Sequence, residues 1–281
     1  NTMASSGGFY NNVATQSLRF DDGSSAYLTR TPSSASNRRT WTWSSWLKVG
    51  NIPAGQTALF SARTSSTNQC HIWYSGAYIE FESGNSLGRI STSGVLRDPS
   101  AWYHIVVTAD TTNATAADRV IIYINGERQA VATTTAVVEN AEFGINLNIQ
   151  HRIGSQATEN NLFLDGYLSE TNFIDGTALA PSSFGETKNG IWIPIDTSGL
   201  TFGTNGFRLQ FKETGVGTAS SSTIGADTSG NTNHFTSSGI VASDCAMPDS
   251  PENNFCTWNP LTIGAQGTLA EGNLKNASFW S

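Results

Sequence analysis

Apolar positions along this chain recur with a period of two, the mark of strands that bury one face. In Thr40-Trp41-Thr42-Trp43-Ser44-Ser45-Trp46-Leu47-Lys48-Val49 the alternation sets Trp41, Trp43, Ser45, Leu47 and Val49 on one face, read as core, and Trp46 on the other. Shorter strands are expected at 58–62, 71–74, 77–82 and 88–91. Ser17-Leu18-Arg19-Phe20 and Ala26-Tyr27-Leu28 flank the turn formers Asp21-Asp22-Gly23-Ser24, which predicts a hairpin. Two continuous apolar runs, 102–109 and 120–124, have the length of strands buried on both faces or nearly so. The second ends in Asn125-Gly126, suited to the positive φ values of a type I′ turn, and so predicts a tight hairpin into Glu127-Arg128-Gln129. Trp41, Trp43, Ile105, Val107 and Tyr123 are expected to be largely buried.

Residues 163–174 supply one long or two short strands, and Pro181-Ser182-Ser183-Phe184-Gly185 a short helical turn. Beyond Gly185 the composition moves toward Gly, Ser, Thr and Asn, with one further clear strand at 206–211. Segments 214–222 and 247–251 read as linkers, and the tail after about residue 245 has too few strand signals to form a core alone. Short strands separated by turn signals predict an all-β protein, a β-sandwich of two antiparallel sheets.

Composition narrows the function classes. Of 281 residues 38% are hydrophobic and only 13% charged, which excludes a coiled coil or helical bundle. Eight Trp, seven Tyr and fourteen Phe exclude disorder, since burial of so many rings offsets ordering entropy. A formal charge of −7 argues against nucleic acid and anionic membrane partners, which need a basic footprint. No run approaches the roughly 18 apolar residues of a membrane span. The chain opens on Asn1 without a leader-like segment, which reads as a trimmed or processed start. Cys70, Cys245 and Cys256 form no CxxC pair; buried or free thiols are expected, with a Cys245-Cys256 disulfide as the alternative.

Candidate chemistry is sparse. Glu80-Phe81-Glu82 places two carboxylates on one strand face, the nearest approach to a glycosidase pair, and a solvated strand face explains it more simply. No Gly-x-Ser-x-Gly, His-Glu-x-x-His or phosphate-binding glycine loop occurs, and His71, His104, His151 and His234 lie far apart. The expectation is therefore no catalytic residue and no enzyme. Asp227-Thr228-Ser229-Gly230-Asn231-Thr232-Asn233 gathers oxygen donors around a glycine turn; Asp227, Asn231 and Asn233 are candidate Ca²⁺ ligands, with a metal-free Asx turn as the competing reading. Sugar recognition needs flat rings beside planar polar groups, and Trp46, Trp73, Tyr74 and Tyr78 are candidate platforms. Asn113-Ala114-Thr115 and Asn276-Ala277-Ser278 fit glycosylation triplets that are frequent by chance in such a chain.

The ordered blocks Ser17-Leu18-Arg19-Phe20-Asp21 with Tyr27-Leu28, Trp43-Ser44-Ser45-Trp46-Leu47-Lys48, Ala101-Trp102-Tyr103-His104-Ile105-Val106-Val107, Ile122-Tyr123-Ile124-Asn125-Gly126 and Phe163-Leu164-Asp165-Gly166-Tyr167-Leu168-Ser169-Glu170 resemble the laminin-G-like branch of the concanavalin A-like lectin/glucanase superfamily. A closer resemblance is to structural proteins of tailed bacteriophages, marine ones in particular. Phe173-Ile174-Asp175-Gly176, Gly203-Thr204-Asn205-Gly206-Phe207, Asp227-Thr228-Ser229-Gly230-Asn231 and Asp249-Ser250-Pro251-Glu252-Asn253-Asn254-Phe255 carry it over nearly the whole chain. What the resemblance implies is a concanavalin A-like jelly roll on a virion surface: a tail fibre or spike binding host-surface polysaccharide, or a capsid or tail decoration protein without sugar binding, with a glycan hydrolase of the same fold as the second alternative. It also implies partners among tail, baseplate or capsid proteins, and a homo-oligomer. The expected organisation is an attachment segment at 1–16, the sandwich at 17–214 and an irregular extension at 215–281 that leads toward a further domain in longer relatives. Because the strand at 206–211 and the Asp227 block come after the body rather than opening it, the order looks circularly permuted. That late strand either completes the sandwich or pairs with a neighbouring protomer. Phe235, Phe255, Trp258 and Trp280 are the expected anchors of an intersubunit tail.

Overall fold

In a computed structural model, residues 9–258, 267–270, 273 and 275–278 are described. The strands are β1 (Leu18–Phe20), β2 (Tyr27–Arg30), β3 (Thr40–Val49), β4 (Gln56–Arg63), β5 (Gln69–Ser75), β6 (Tyr78–Ser83), β7 (Gly88–Thr92), β8 (Tyr103–Asp110) and β9 (Val120–Ile124). They continue as β10 (Glu127–Arg128), β11 (Val131–Thr135), β12 (His151–Ile153), β13 (Gly166–Asp175), β14 (Gly185–Lys188), β15 (Ile191–Pro194), β16 (Phe207–Leu209) and β17 (Thr236–Ser238), then β18 (Gly267–Ala270) and β19 (Lys275–Ser278). One sheet has seven strands in the order β1-β13-β3-β8-β9-β10, with β16 also on β13; the other has eight, β11-β7-β6-β5-β4-β12-β2-β17. The fold is an all-β sandwich of two antiparallel sheets.

Alternation builds the core as the sequence indicates. Trp41, Trp43, Leu47 and Val49 of β3 are buried between the sheets, where Trp43 stacks on Phe60 of β4 with ring centroids 6.4 Å apart and 7° between planes. Trp41 meets Phe81, Phe143 and Phe173 at 6.1 to 6.2 Å. Asn125 and Gly126 take φ of 50° and 83°, as a type I′ turn requires, and Ile124 pairs with Glu127. Ile105 and Val107 are buried, whereas Tyr123 lies half-buried on the outward face of β9, so its expected burial is corrected: the run 120–124 is covered on one face only.

Three connections differ from expectation. The segments 17–20 and 26–28 do not pair with each other; β1 pairs with β13 and β2 with β12 and β17, in opposite sheets. The turn capped by Asp21, with Ser25 left-handed at φ 55°, carries the chain across the sandwich, because Leu18 and Phe20 on one side and Leu28 on the other all bury in the same core. The late strand completes the sandwich of its own chain: a register shift between Ser169 and Asn172 divides β13, so that β1 pairs along 166–168 and β16 along 171–173. The extension also contributes β17 to the edge of the eight-stranded sheet, and Phe235 is core, edge-on to Phe207 at 4.8 Å, rather than an intersubunit anchor. Phe255 and Trp258 are exposed; Trp280 lies outside the described residues.

Two segments cover the outward face of the seven-stranded sheet. Phe184 and Phe202 pack on Val106 and Ile174 there, and residues 241–258 lie over Lys48, where Asp249 meets its ammonium at 2.8 Å. The least covered part is the edge formed by β9 and β10, where Ile121 and Tyr123 are half-buried and Arg128 is exposed. Cys70, Cys245 and Cys256 are all free thiols.

Phe235→Ala should lower the unfolding free energy by about 3–5 kcal/mol, the usual cost of emptying a buried aromatic site. Urea unfolding measures it, and an unchanged midpoint would remove Phe235 from the core.

Candidate functional site

At this least covered edge the backbone assembles a cleft. Strand alternation turns Thr108 and Asp110 of β8 and Ile121 and Tyr123 of β9 away from the core, with Thr108 opposite Ile121. The Asn125-Gly126 turn then brings Arg128 of β10 opposite Tyr123. Asn113 and Asp118 come from the β8–β9 connection, and Ala178, Leu179 and Ala180 form the far wall of an open cleft of about 400 Å³.

Its polar groups divide into held and unengaged ones. Arg128 is fixed by Asp118 Oδ1 at 2.7 Å and the Ala117 carbonyl at 2.9 Å. Asp110 Oδ1 accepts from the Thr112 backbone and hydroxyl at 3.1 and 2.6 Å, and Asn113 Oδ1 accepts from the Thr115 backbone at 2.9 Å. Among the described residues nothing bonds Asp110 Oδ2, Asn113 Nδ2 or the Tyr123 hydroxyl. A carboxylate oxygen, an amide donor and a phenol beside a half-exposed ring are the groups that recognise sugar hydroxyls and stack on sugar C–H faces.

The platforms expected from sequence are placed elsewhere. Trp46, Trp73 and Tyr74 are buried, so none offers a face to solvent. Trp73 and Tyr74 sit on opposite faces of β5, Trp73 donating to Glu82 at 3.0 Å and Tyr74 to the Leu96 carbonyl at 2.8 Å. Only Tyr78, 37% exposed at the start of β6, is open. Glu80 is held by Gln56 at 2.7 Å and Arg89 at 3.0 Å. Trp46 lies on the other sheet in a ladder of rings, 4.8 Å from His104, which is in turn 6.0 Å from Trp192. The Trp192 indole, a donor only, donates to His104 Nδ1 at 3.0 Å, so Nε2 carries the proton given to Ser44 Oγ at 2.9 Å. Trp192 also packs on the hairpin turn: a Cβ at Gly126, besides its positive φ, would fall 2.6 Å from the indole ring.

The candidate calcium ligands lie in a loop that is hydrogen-bonded within the chain. Asp227 Oδ1 accepts from the backbones of Arg208 and Ser229, both at 2.9 Å, and Oδ2 from Ser229 Oγ at 2.9 Å and the Asn233 backbone at 2.8 Å. Asn231 and Asn233 donate to the carbonyls of Gly203, Thr204 and Gly206, and Arg30 occupies Asn233 Oδ1. The loop spends its oxygens on N–H and O–H donors beside a guanidinium, a setting that does not fit a divalent cation. Among the described residues no group of three or more His, Cys, Asp or Glu is arranged to hold a metal.

A laminin-G family profile described as Concanavalin A-like lectin/glucanases superfamily matches residues 22–182, more than half of the chain. The chain belongs to this superfamily. No curated protein matches it. Among solved structures, a candidate carbohydrate binding protein from Bacteroides ovatus ATCC 8483 is similar at TM-score 0.53 and 15% identity, over 80% of this chain and 58% of that one. The chain thus spans little more than half of that protein's length. The heptameric SAP-like pentraxin of Limulus polyphemus is similar at TM-score 0.41 and 17% identity, over 60% of this chain and 79% of that one. Trypanosoma rangeli sialidase is similar at TM-score 0.37 and 16% identity, over 52% and 22%. The sequence-based expectation that the chain is no enzyme is corrected: the superfamily to which it belongs takes in glucanases as well as lectins, and membership does not separate the two.

Burial pushes His104 down to about 3 and, with Arg63 adding to it, His71 to about 3; His151 is pushed down to about 4 by burial, against the Ile149 carbonyl. The unfolded chain binds these protons near pH 6.5, so their contribution is complete above that pH and is lost as pH falls toward 3–4. Unfolding free energy should fall between pH 6.5 and 5 by up to about 1.4 kcal/mol per pH unit per histidine. The three imidazoles of the folded chain should show no titration by NMR between pH 7.5 and 5; a mid-range titration of His104 would contradict its burial as a neutral donor.

Proposed function

We propose that this chain is a glycan-binding domain whose site is the cleft at the β8–β10 edge. The observation that carries the reading is that Asp110, Asn113 and Tyr123 line one open cleft of about 400 Å³ with Asp110 Oδ2, Asn113 Nδ2 and the Tyr123 hydroxyl unengaged among the described residues. Tyr123 supplies the stacking face, Asp110 and Asn113 accept from and donate to adjacent sugar hydroxyls, and the Asp118-bound Arg128 forms a fixed rim. Membership of the lectin/glucanase superfamily is consistent with such a ligand.

The resemblance to tailed-phage structural proteins is the ground for setting this domain on a virion surface. There its ligand is a host-surface polysaccharide, its neighbours are other virion proteins, and a homo-oligomer multiplies weak single-site affinity.

Tyr123→Ala should weaken binding to the best ligand from a panel of bacterial surface polysaccharides at least tenfold, on the order of the 1–2 kcal/mol of one lost stacking ring, with the circular dichroism spectrum unchanged. Asp110→Asn should weaken it to a lesser degree. Isothermal titration measures both. Wild-type affinity in Tyr123→Ala, or no binding to any glycan, overturns the reading in favour of a decoration protein.

A further inference from the structure

Lys48, Tyr167 and Arg19 form a row on the outward face of the seven-stranded sheet. Lys48 and Tyr167 are register partners across β3 and β13, and Tyr167 and Arg19 across β13 and β1. Strand spacing sets the two cationic residues about 10 Å apart on the backbone, with the phenol between them. The Trp102 ring lies beside Tyr167, centroids 6.4 Å apart.

Residues 241–258 cover this row with acids. Lys48 Nζ donates to Asp249 Oδ2 at 2.8 Å, to Asn254 Oδ1 at 2.8 Å and to the Phe255 carbonyl at 2.6 Å, so one segment takes all three ammonium protons. The other Asp249 oxygen accepts from the Trp102 indole at 3.0 Å. Asp244 Oδ1 accepts from Arg19 Nε at 2.9 Å and from its terminal nitrogen at 2.5 Å.

The strap buries its acids beside Cys245, Ser250 and Pro251 and leaves three large apolar side chains outside. Asp244 and Asp249 are buried, while Val241, Phe255 and Trp258 are 58%, 43% and 55% exposed. No strand forms within residues 241–258, and the described backbone ladder to the sandwich is the single Ser17–Met247 bridge. Two buried ion pairs, whose attraction largely goes to offset desolvation, hold the strap together with the Ser17 hydroxyl on the Asp249 carbonyl, the Val13 N–H on Glu252 Oε1 and the buried Cys245. A carboxylate gripped by an ammonium and an indole N–H, with aromatic rings alongside, is also the set of contacts that an acidic sugar needs.

We propose that the Lys48-Tyr167-Arg19 row is a second binding platform, for a polysaccharide bearing carboxylates, and that residues 241–258 occupy it as an internal pseudo-ligand. Asp249 and Asp244 stand where two uronate carboxylates would lie. The Trp102 and Tyr167 rings favour a saccharide over an acidic peptide, which would use the cations and leave the rings without a sugar face. The platform is separate from the Tyr123 cleft and does not rest on it.

The test uses the full chain as wild type, as Asp244→Asn/Asp249→Asn, and as that double variant with Lys48→Met added. The probes are oligogalacturonate, neutral dextran and a polyglutamate peptide, titrated calorimetrically at low and high salt. Hydrogen exchange reads the strap. The double variant should bind oligogalacturonate at least tenfold more tightly than wild type, high salt should weaken that binding, and Lys48→Met should abolish the gain. Dextran should show no gain, polyglutamate should bind more weakly, and Tyr123→Ala should change none of this. In wild type, saturating oligogalacturonate should raise exchange across 241–258. Equal affinity in wild type and double variant overturns the proposal, as does polyglutamate binding as tightly as oligogalacturonate. Should the double variant fail to fold by circular dichroism, unchanged exchange of the wild-type strap at saturation overturns it alone.

Discussion

The sandwich depends on how β13 is bent. Glu170, at φ 44° in the register shift between Ser169 and Asn172, is buried with its carboxylate against Arg208 Nε at 3.3 Å and Gln210 Nε2 at 3.1 Å. Burial pushes the Glu170 carboxyl upward and Arg208 pulls it back, so the ionised acid depends on a partner that comes from β16. The bulge divides the edge of β13 between β1 and β16, and without it the late strand would have no place in the sheet. Asp227 clamps the same strand from the other side through the Arg208 backbone at 2.9 Å. Removing one partner of such a buried pair costs about 3–5 kcal/mol, because the other charge is left uncompensated.

From that junction onward the chain turns outward and wraps. Phe235 and β17 return to the core and the edge of the second sheet, and residues 241–258 lie over Lys48. Together with the Phe184 and Phe202 cluster they leave one edge of the seven-stranded sheet least covered, and that is where Tyr123, Asp110 and Asn113 line one cleft. The position of the candidate cleft is thus set by what the extension does not cover.

Local patterns were legible in the sequence and long-range pairings were not. The alternation over 40–49 gives the right faces for five core-facing residues, because β3 itself is unbroken and pairs in one register with β8, while the shift on its other side falls in β13. The Asn125-Gly126 turn is dictated by its own two residues. By contrast, β12 and β17 are three residues each, and pair with strands about 90 to more than 200 positions away, so no local period marks them. Asp21-Asp22-Gly23-Ser24 announces a reversal, but a reversal does not say whether its arms share a sheet. The cleft went unseen because Val120-Ile121-Ile122-Tyr123-Ile124 reads as uniformly apolar. The available signal was that the tight turn must return Arg128 to Tyr123, close in sequence to Asp110, Asn113 and Asp118. Asp227, Asn231 and Asn233 carry the composition of a cation loop, and only their backbone partners in residues 203–208, carbonyls for the two amides and the Arg208 N–H for Asp227, show them to be a backbone clamp.

The central claim is that β16, Phe235 and β17, all beyond residue 205, belong to the sandwich and are not an appendage. Its most direct test is equilibrium unfolding of a chain ended at residue 205 beside the full-length protein, followed by tryptophan fluorescence and circular dichroism. The shortened chain, lacking β16, Phe207, Arg208 and Phe235, should show no cooperative transition and should expose its tryptophans to quencher; a cooperative transition at the full-length midpoint would contradict the account.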